Sequence, residues 1–219
     1  MSSVKSGRNA SANERAFRLP VENFNPQSRI ANPNTLLCSR VSAFILKVMM
    51  RPEKGEYAEY YDRYISLVEE TDIVSVLEKQ QSELDEIFQT ITEEKSHFAY
   101  ASDKWTIKEL IGHLIDGERI FAYRALRISR ADETPIEGFE QDDYIENSNF
   151  NSTPLTDLID ELLLSRRANL IFFKNLSDEA WLRTGTASDS PVSVRALAYI
   201  MAGHIRHHLK ILNERYLAQ

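Results

Sequence analysis

A single cysteine, Cys38, occurs among 219 residues. That excludes an intrachain disulfide and any cysteine-rich zinc motif, and it fits a reducing, cytoplasmic setting. Glycine and proline are also scarce, at seven each. The glycine-bearing motifs of phosphate and dinucleotide binding (G-x-x-x-x-G-K-[ST], and G-x-G-x-x-G after a strand) are absent, as is the G-x-S-x-G of serine hydrolases. No run approaches the roughly 20 apolar residues that span a bilayer, so neither a transmembrane helix nor a membrane partner is expected. Positive charge is in deficit, with 26 Lys/Arg against 33 Asp/Glu. The deficit is uneven: residues 1–51 carry a balance of +6, which leaves the remainder at −13. An acidic body argues against nucleic acid as a partner, because phosphate backbones are held by clustered Lys and Arg.

Residues 1–50, rich in Ser, Asn, Arg and Pro and without helical periodicity, read as a basic, disordered leader separate from a domain spanning 51–219. Translation starting at Met49 or Met50 would leave this leader out of the natural protein. Beyond it, apolar content of 42% and charged content of 27% are those of an ordinary globular domain. Tyr57, Tyr60, Tyr61 and Tyr64 recur at the spacing of one helical face. They could line a ligand pocket, or pack with their hydroxyl ends in water. Four long amphipathic helices follow. The first starts near Thr71-Asp72 and runs to about Ile91. The second opens at the capping box Thr106/Glu109 and ends near Arg130. The third follows Thr153-Pro154, read as a cap before a first-turn proline, and reaches Leu176. The last runs from Ser193 to Leu217. The segments 131–153 and 177–192 are long connections, no strand is convincing, and the fold class expected is all-α, a four-helix bundle with long crossover loops.

The last helix carries three of the five histidines, His204, His207 and His208. His204 and His208 lie about 40° apart on a helical wheel, in the middle of a stripe made by Leu197, Ile200, Met201, Ile211 and Leu212. Buried imidazole nitrogens need partners. An i,i+4 pair can chelate one ion, and a third histidine from a facing helix would give the three-nitrogen, one-open-position pattern of a catalytic zinc site. His113, at the edge of the second helix's stripe, is available for that. On spacing alone, core histidines satisfied by backbone or carboxylates are the plainer reading, and metal binding the alternative. HIRHH lacks the Glu of the protease motif HExxH. A di-iron carboxylate site would need a second Glu-x-x-His besides Glu94–His97.

The runs KWTIKELIGHLIDGERIFAYRALRISR, PIEGFEQDDY and SVRALAYIMAGHIRHHLKILNERYL together resemble the DinB-like (YfiT-like) superfamily, over about Arg51 to Leu217. The resemblance implies a four-helix bundle that holds one divalent metal through His113, His204 and His208. Zinc is the first expectation, with nickel, iron or manganese as alternatives. It further implies a thiol transferase, using a low-molecular-weight thiol such as bacillithiol or mycothiol, or a thiol-dependent isomerase or a metal-dependent hydrolase. In each case the substrate would be a small electrophile; a homodimer is left open. Asp116 and Glu118 are the nearest acids in sequence and weak candidates for proton transfer, with solvated or supporting roles as the plainer reading. Tyr123 and Arg124 are candidates for substrate contact or interhelical bonding. The non-enzymatic alternative is a bundle whose ion serves stability or metal sensing. Mass spectrometry of the natural N-terminus checks the leader: the first residue is expected at Met49 or Met50, and peptides from residues 9–40 would overturn that start.

Overall fold

The computed structural model describes residues 50–218. The expected leader, residues 1–50, and its Cys38 lie outside the described residues, Met50 excepted. A 3-10 turn (Glu59–Tyr61) leads into the short α1 (Asp62–Ile65), followed by α2 (Ile73–Phe88), α3 (Glu93–Ser96), α4 (Ile107–Ser129), α5 (Gln141–Glu146), α6 (Leu155–Lys174) and α7 (Asp178–Leu182). An antiparallel hairpin, β1 (Thr184–Ala187) and β2 (Ser190–Ser193), then delivers the chain to α8 (Val194–Ile211), which continues into a wide turn over Leu212–Leu217. No described helix is long and apolar enough to cross a membrane.

The helix starts follow side-chain capping. Asp72 accepts from Ser75 N–H, Ser193 accepts from Ala196 N–H, and Thr106 and Glu109 satisfy each other's backbone in a capping box. Thr153 does not cap α6. Pro154 occupies that position, and the free N–H of Leu155 is taken instead by the Glu93 carboxylate, 2.8 Å away, which also pairs with buried Lys108. One acidic side chain on α3 thus ties together the starts of α4 and α6.

The four long helices form the bundle. Both α2 and α4 pack against α6 and α8, so the consecutive pairs α2/α4 and α6/α8 are the diagonals. Diagonal succession needs crossover connections, which residues 89–106 and 175–193 supply. The second of these holds the main departure from the sequence reading. It contains α7, anchored by Trp181 stacked on Phe173 with ring centroids 5.3 Å apart, and the hairpin. The hairpin turn places Ser188 and Asp189 at φ 50° and 57°. Such turns usually signal themselves with Asn-Gly or Asp-Gly, and neither is present. Ile136 from the 131–140 segment bridges to this hairpin: its N–H donates to Thr186, and its carbonyl accepts from Ser188 N–H.

Two apolar clusters fill the bundle. One contains Ile73, Phe121, Phe173 and Met201, the other Leu84, Ile111, Leu158 and Ile205. Along every long helix a polar residue separates them: Gln80 on α2, Glu118 on α4, Arg166 on α6, His204 on α8. Arg166 pairs with Glu118 and reaches Gln80 Oε1 at 3.4 Å; Gln80 Nε2 donates to the Ala202 carbonyl at 2.8 Å; Asn169 also donates to Glu118. The four helices are therefore cross-bonded at mid-height. Two glycines permit the close approach of α8: a Cβ on Gly203 would lie 2.0 Å from the Tyr64 carbonyl oxygen, and one on Gly117 3.0 Å from the His204 ring. Glu118→Gln leaves the Arg166 guanidinium buried without a counter-charge and is expected to lower the unfolding free energy by about 3–5 kcal/mol. Replacing both partners by Met should recover most of that loss, as read from urea denaturation.

Candidate metal centre

His113 comes from the middle of α4, and His204 and His208 from successive turns of α8; all three are buried. One nitrogen from each lies within 4.8 Å of the others. Nε2 of His113 and Nε2 of His204 are 2.9 Å apart, and the ring centroids are separated by 4.5–4.8 Å. Nitrogens bound to one tetrahedral ion at about 2.0–2.1 Å lie about 3.3 Å from each other, a spacing that these distances bracket.

Their protonation suits ligation. Burial holds His113 down to about 4, with the charge of His207 adding to the effect. Burial also holds His208 down to about 2, with His113 and His207 contributing, and keeps His204 well below its ordinary value. All three are neutral at pH 7 and offer lone pairs. His113 and His204 can share a proton between their facing nitrogens. His208 has no such outlet: both of its ring nitrogens are buried without a hydrogen-bond partner among the described residues. A satisfied core histidine would have at least one, so the residue fits a ligand to a divalent ion better than a packing role.

Aromatic rings fix the imidazoles. Trp105 lies 4.8 Å from His113 by ring centroids, and Tyr64 meets His204 edge-on at 5.3 Å and His207 at 5.4 Å. His207 is half-buried, and it is not among the clustered ligand atoms. A cleft of about 470 Å³ opens onto His113 and His204; Tyr60, Tyr61, Tyr64, Phe121 and Phe139 contribute its rings. Three of the four tyrosines in the stripe line this cleft. Tyr57 instead is buried, and its hydroxyl donates to Asp62. A larger groove of about 600 Å³ along the outer side of α4, beside Arg119, Tyr123 and Arg127, contains none of the histidines.

The two acids sit elsewhere. Glu118 faces Arg166 and Asn169 on α6; burial pushes its carboxyl up, and the guanidinium opposes that. Asp116 is half-buried with Arg119 and Glu161 as its charged neighbours, and burial raises it too. Neither joins the histidine cluster. Sequence reasoning passed over Arg166 and Gln80, yet each leaves a signal: both fall on the apolar stripe of their helix, between Leu162 and Leu170 and between Leu77 and Leu84. Arg124 is 2% exposed, and it bonds across to Tyr61, Ser188 and the Glu137 carbonyl.

A profile of the DinB superfamily matches residues 76–212, more than half of the chain and nearly all of the bundle that carries these histidines. The chain belongs to the DinB superfamily. No curated protein matches it. Among solved structures it is similar to YfiT from Bacillus subtilis, described as "a probable metal-dependent hydrolase with an unusual four-helix bundle topology". Identity is 16% and the TM-score 0.60, over 76% of this chain and 91% of that one. At that identity the likeness speaks to the fold alone.

Depressed histidine pKa values give the metal-free protein a definite pH response. The unfolded chain takes up protons near 6.5 while the native sites resist until about 4 or below. Stability is thus fully present above pH 6.5 and falls as pH drops towards 4. His113 accounts for about 3 kcal/mol of that loss. Urea unfolding of chelator-treated protein should show this slope, shallower in His208→Leu.

Proposed function

We propose that the chain binds one divalent metal ion through His113, His204 and His208 and acts as a metal-dependent enzyme on a small-molecule substrate held in the adjoining cleft. The observation that carries this reading is His208, a buried imidazole with neither nitrogen partnered, one helical turn from a second buried imidazole and beside a third. Zinc is the first candidate, because three neutral nitrogens with an open position are its habit in catalytic sites. Nickel, iron and manganese are the alternatives that imidazole ligands admit. When bound, such an ion supplies Lewis acidity towards an oxygen or sulfur donor.

The protein's own residues do the rest. Burial keeps the three imidazoles neutral, so they need lose no proton to ligate. Trp105 and Tyr64 hold the rings of His113 and His204 in place, and Gly117 leaves room for the latter. Tyr61, Phe121 and Phe139 give the cleft walls that exclude water from an apolar substrate body. Structural metal sites are closed by protein ligands, whereas catalytic ones keep an open side; the cleft reaching His113 and His204 favours catalysis over a purely structural ion. The neighbouring fold described as a metal-dependent hydrolase supports hydrolysis. Transfer of a low-molecular-weight thiol is the second reading, and the same open side would admit its sulfur. Neither Asp116 nor Glu118 is assigned a proton-transfer role, given where their carboxyls point.

Protein purified without a histidine tag should hold about one metal ion per chain, and His113→Ala or His208→Ala should each reduce that at least tenfold. Chelation should lower the melting temperature of the wild type and not that of the variants. Full metal content in both variants, by plasma mass spectrometry, would falsify the site. Turnover with bacillithiol, mycothiol or glutathione and an alkylating electrophile, against hydrolysis of ester and amide panels, separates the two activities.

A further inference from the structure

Arg124 is an anomaly of charge. Its guanidinium is almost wholly buried, yet every partner it has among the described residues is uncharged. Nη1 donates to the Tyr61 hydroxyl at 3.2 Å; Nη2 donates to the Ser188 hydroxyl at 2.9 Å and to the Glu137 carbonyl at 3.2 Å; Nε has no partner. Arg166 and Arg195, the other buried arginines described, both face a glutamate. An arginine cannot shed its proton, and a buried charge without a counter-charge is costly. The guanidinium lies between two cavities: Arg124 itself lines the outer groove beside Arg119 and Arg127, while the two hydroxyls it bonds, Tyr61 and Ser188, line the cleft that opens onto His113 and His204.

The two hydroxyls are arranged to pass the charge on. Each oxygen accepts from the guanidinium, and neither hydroxyl proton has an acceptor among the described residues. Ser188 is held there against its backbone preference, at φ 50°, by its N–H bond to Ile136 and by the bond from Arg124. Left-handed geometry is costly for a non-glycine residue, and strained residues that the surroundings fix gather where ligands bind. Oriented donors backed by a buried positive charge make an oxyanion-holding arrangement. Glu140 and Asp142 also line the cleft, but both are exposed and screened by solvent in a way that the guanidinium is not.

We propose that Arg124, through the hydroxyls of Tyr61 and Ser188, forms a carboxylate-holding pole on the wall of the cleft. The substrate is accordingly a small carboxylate with a flat apolar body, which rests against Phe121 and Phe139 while its reacting end lies at the histidines. This takes the cleft to be the substrate site of the metal-dependent reading, but the pole itself needs no metal.

The probes are benzoate and its uncharged isostere benzamide, titrated into the purified full-length protein by calorimetry. Benzoate is expected to bind at least tenfold more tightly than benzamide. Tyr61→Phe and Ser188→Ala, at half-buried and exposed positions, should each weaken benzoate about fivefold to tenfold and leave benzamide unchanged. Unchanged melting temperatures would show that both variants fold. His204→Ala separates the two proposals: benzoate binding persists in it if the pole holds the anion. Equal affinity for the two probes, benzoate affinity untouched by both hydroxyl variants, or its complete loss in His204→Ala would overturn the pole. Wild-type protein that neither holds nor takes up a divalent metal, yet prefers benzoate and loses the preference in the hydroxyl variants, would overturn the metal reading and leave the pole standing.

Discussion

Everything in the bundle is arranged around a polar layer at its mid-height. A four-helix protein can be held together by apolar contacts alone, and the clusters above and below the layer would suffice for that. Here each long helix instead gives up one inward position to Gln80, Glu118, Arg166 or His204. Buried polar groups are tolerable only when their partners are in place, so the layer fixes the rotation and height of all four helices at once. A shift of α6 by one residue would take Arg166 away from Glu118. A shift of α8 would take the Ala202 carbonyl from Gln80 and His204 from His113. The three histidines are the part of this layer whose hydrogen-bonding capacity is not internally consumed, and that makes them available to a ligand.

The diagonal order of the helices decides what surrounds them. Because α6 and α8 are diagonal, the chain between them must travel across an end of the bundle, and the hairpin lies on that path. The hairpin turn reaches the cleft wall with Ser188, while the 131–140 segment, bridged to the hairpin at Ile136, brings Phe139 to the same cleft. Rings and hydroxyls at the mouth are thus contributed largely by connections, and the histidine nitrogens by rigid helices. That division is expected of a site that needs fixed ligands and an adaptable rim.

The helices were legible because period and capping residues agree. Asp72, Thr106 and Ser193 mark three starts where the structure has them, and the i,i+4 pair on α8 points inward as a wheel requires. The α6 start was misread at Thr153 because the group that satisfies Leu155, Glu93, lies 62 residues earlier and no local rule reaches it. The hairpin was illegible for a related reason. Ser188-Asp189 adopts a glycine-like turn only because Arg124 and Ile136 hold Ser188 from outside. Arg166 was passed over through the ordinary expectation that arginine is solvated, and Arg124 was read as a candidate for substrate contact or interhelical bonding without its burial being foreseen. In Arg166 the apolar stripe it interrupts was the clue, whereas nothing near Arg124 in sequence announces a buried, carboxylate-free guanidinium.

Charge balance ties the two proposed features together. Three histidines kept neutral by burial contribute no negative charge, so on the metal reading a divalent ion keeps its full charge within the protein. Arg124 places a second positive charge, with no carboxylate partner among the described residues, behind the Tyr61 and Ser188 hydroxyls of the cleft wall. The body of the protein is acidic, and the exposed Glu140 and Asp142 are close enough to offset part of this field from the solvent side. They do not enter the histidine cluster or pair with Arg124. A ligand that enters the cleft is the remaining source of negative charge at depth. An anion there would gain from both poles, because two fixed charges in a low-dielectric wall act on it far more strongly than they would in water. A neutral molecule of the same shape would gain only the apolar contacts, and on the proposed reading it is this difference that would make the site selective for anions.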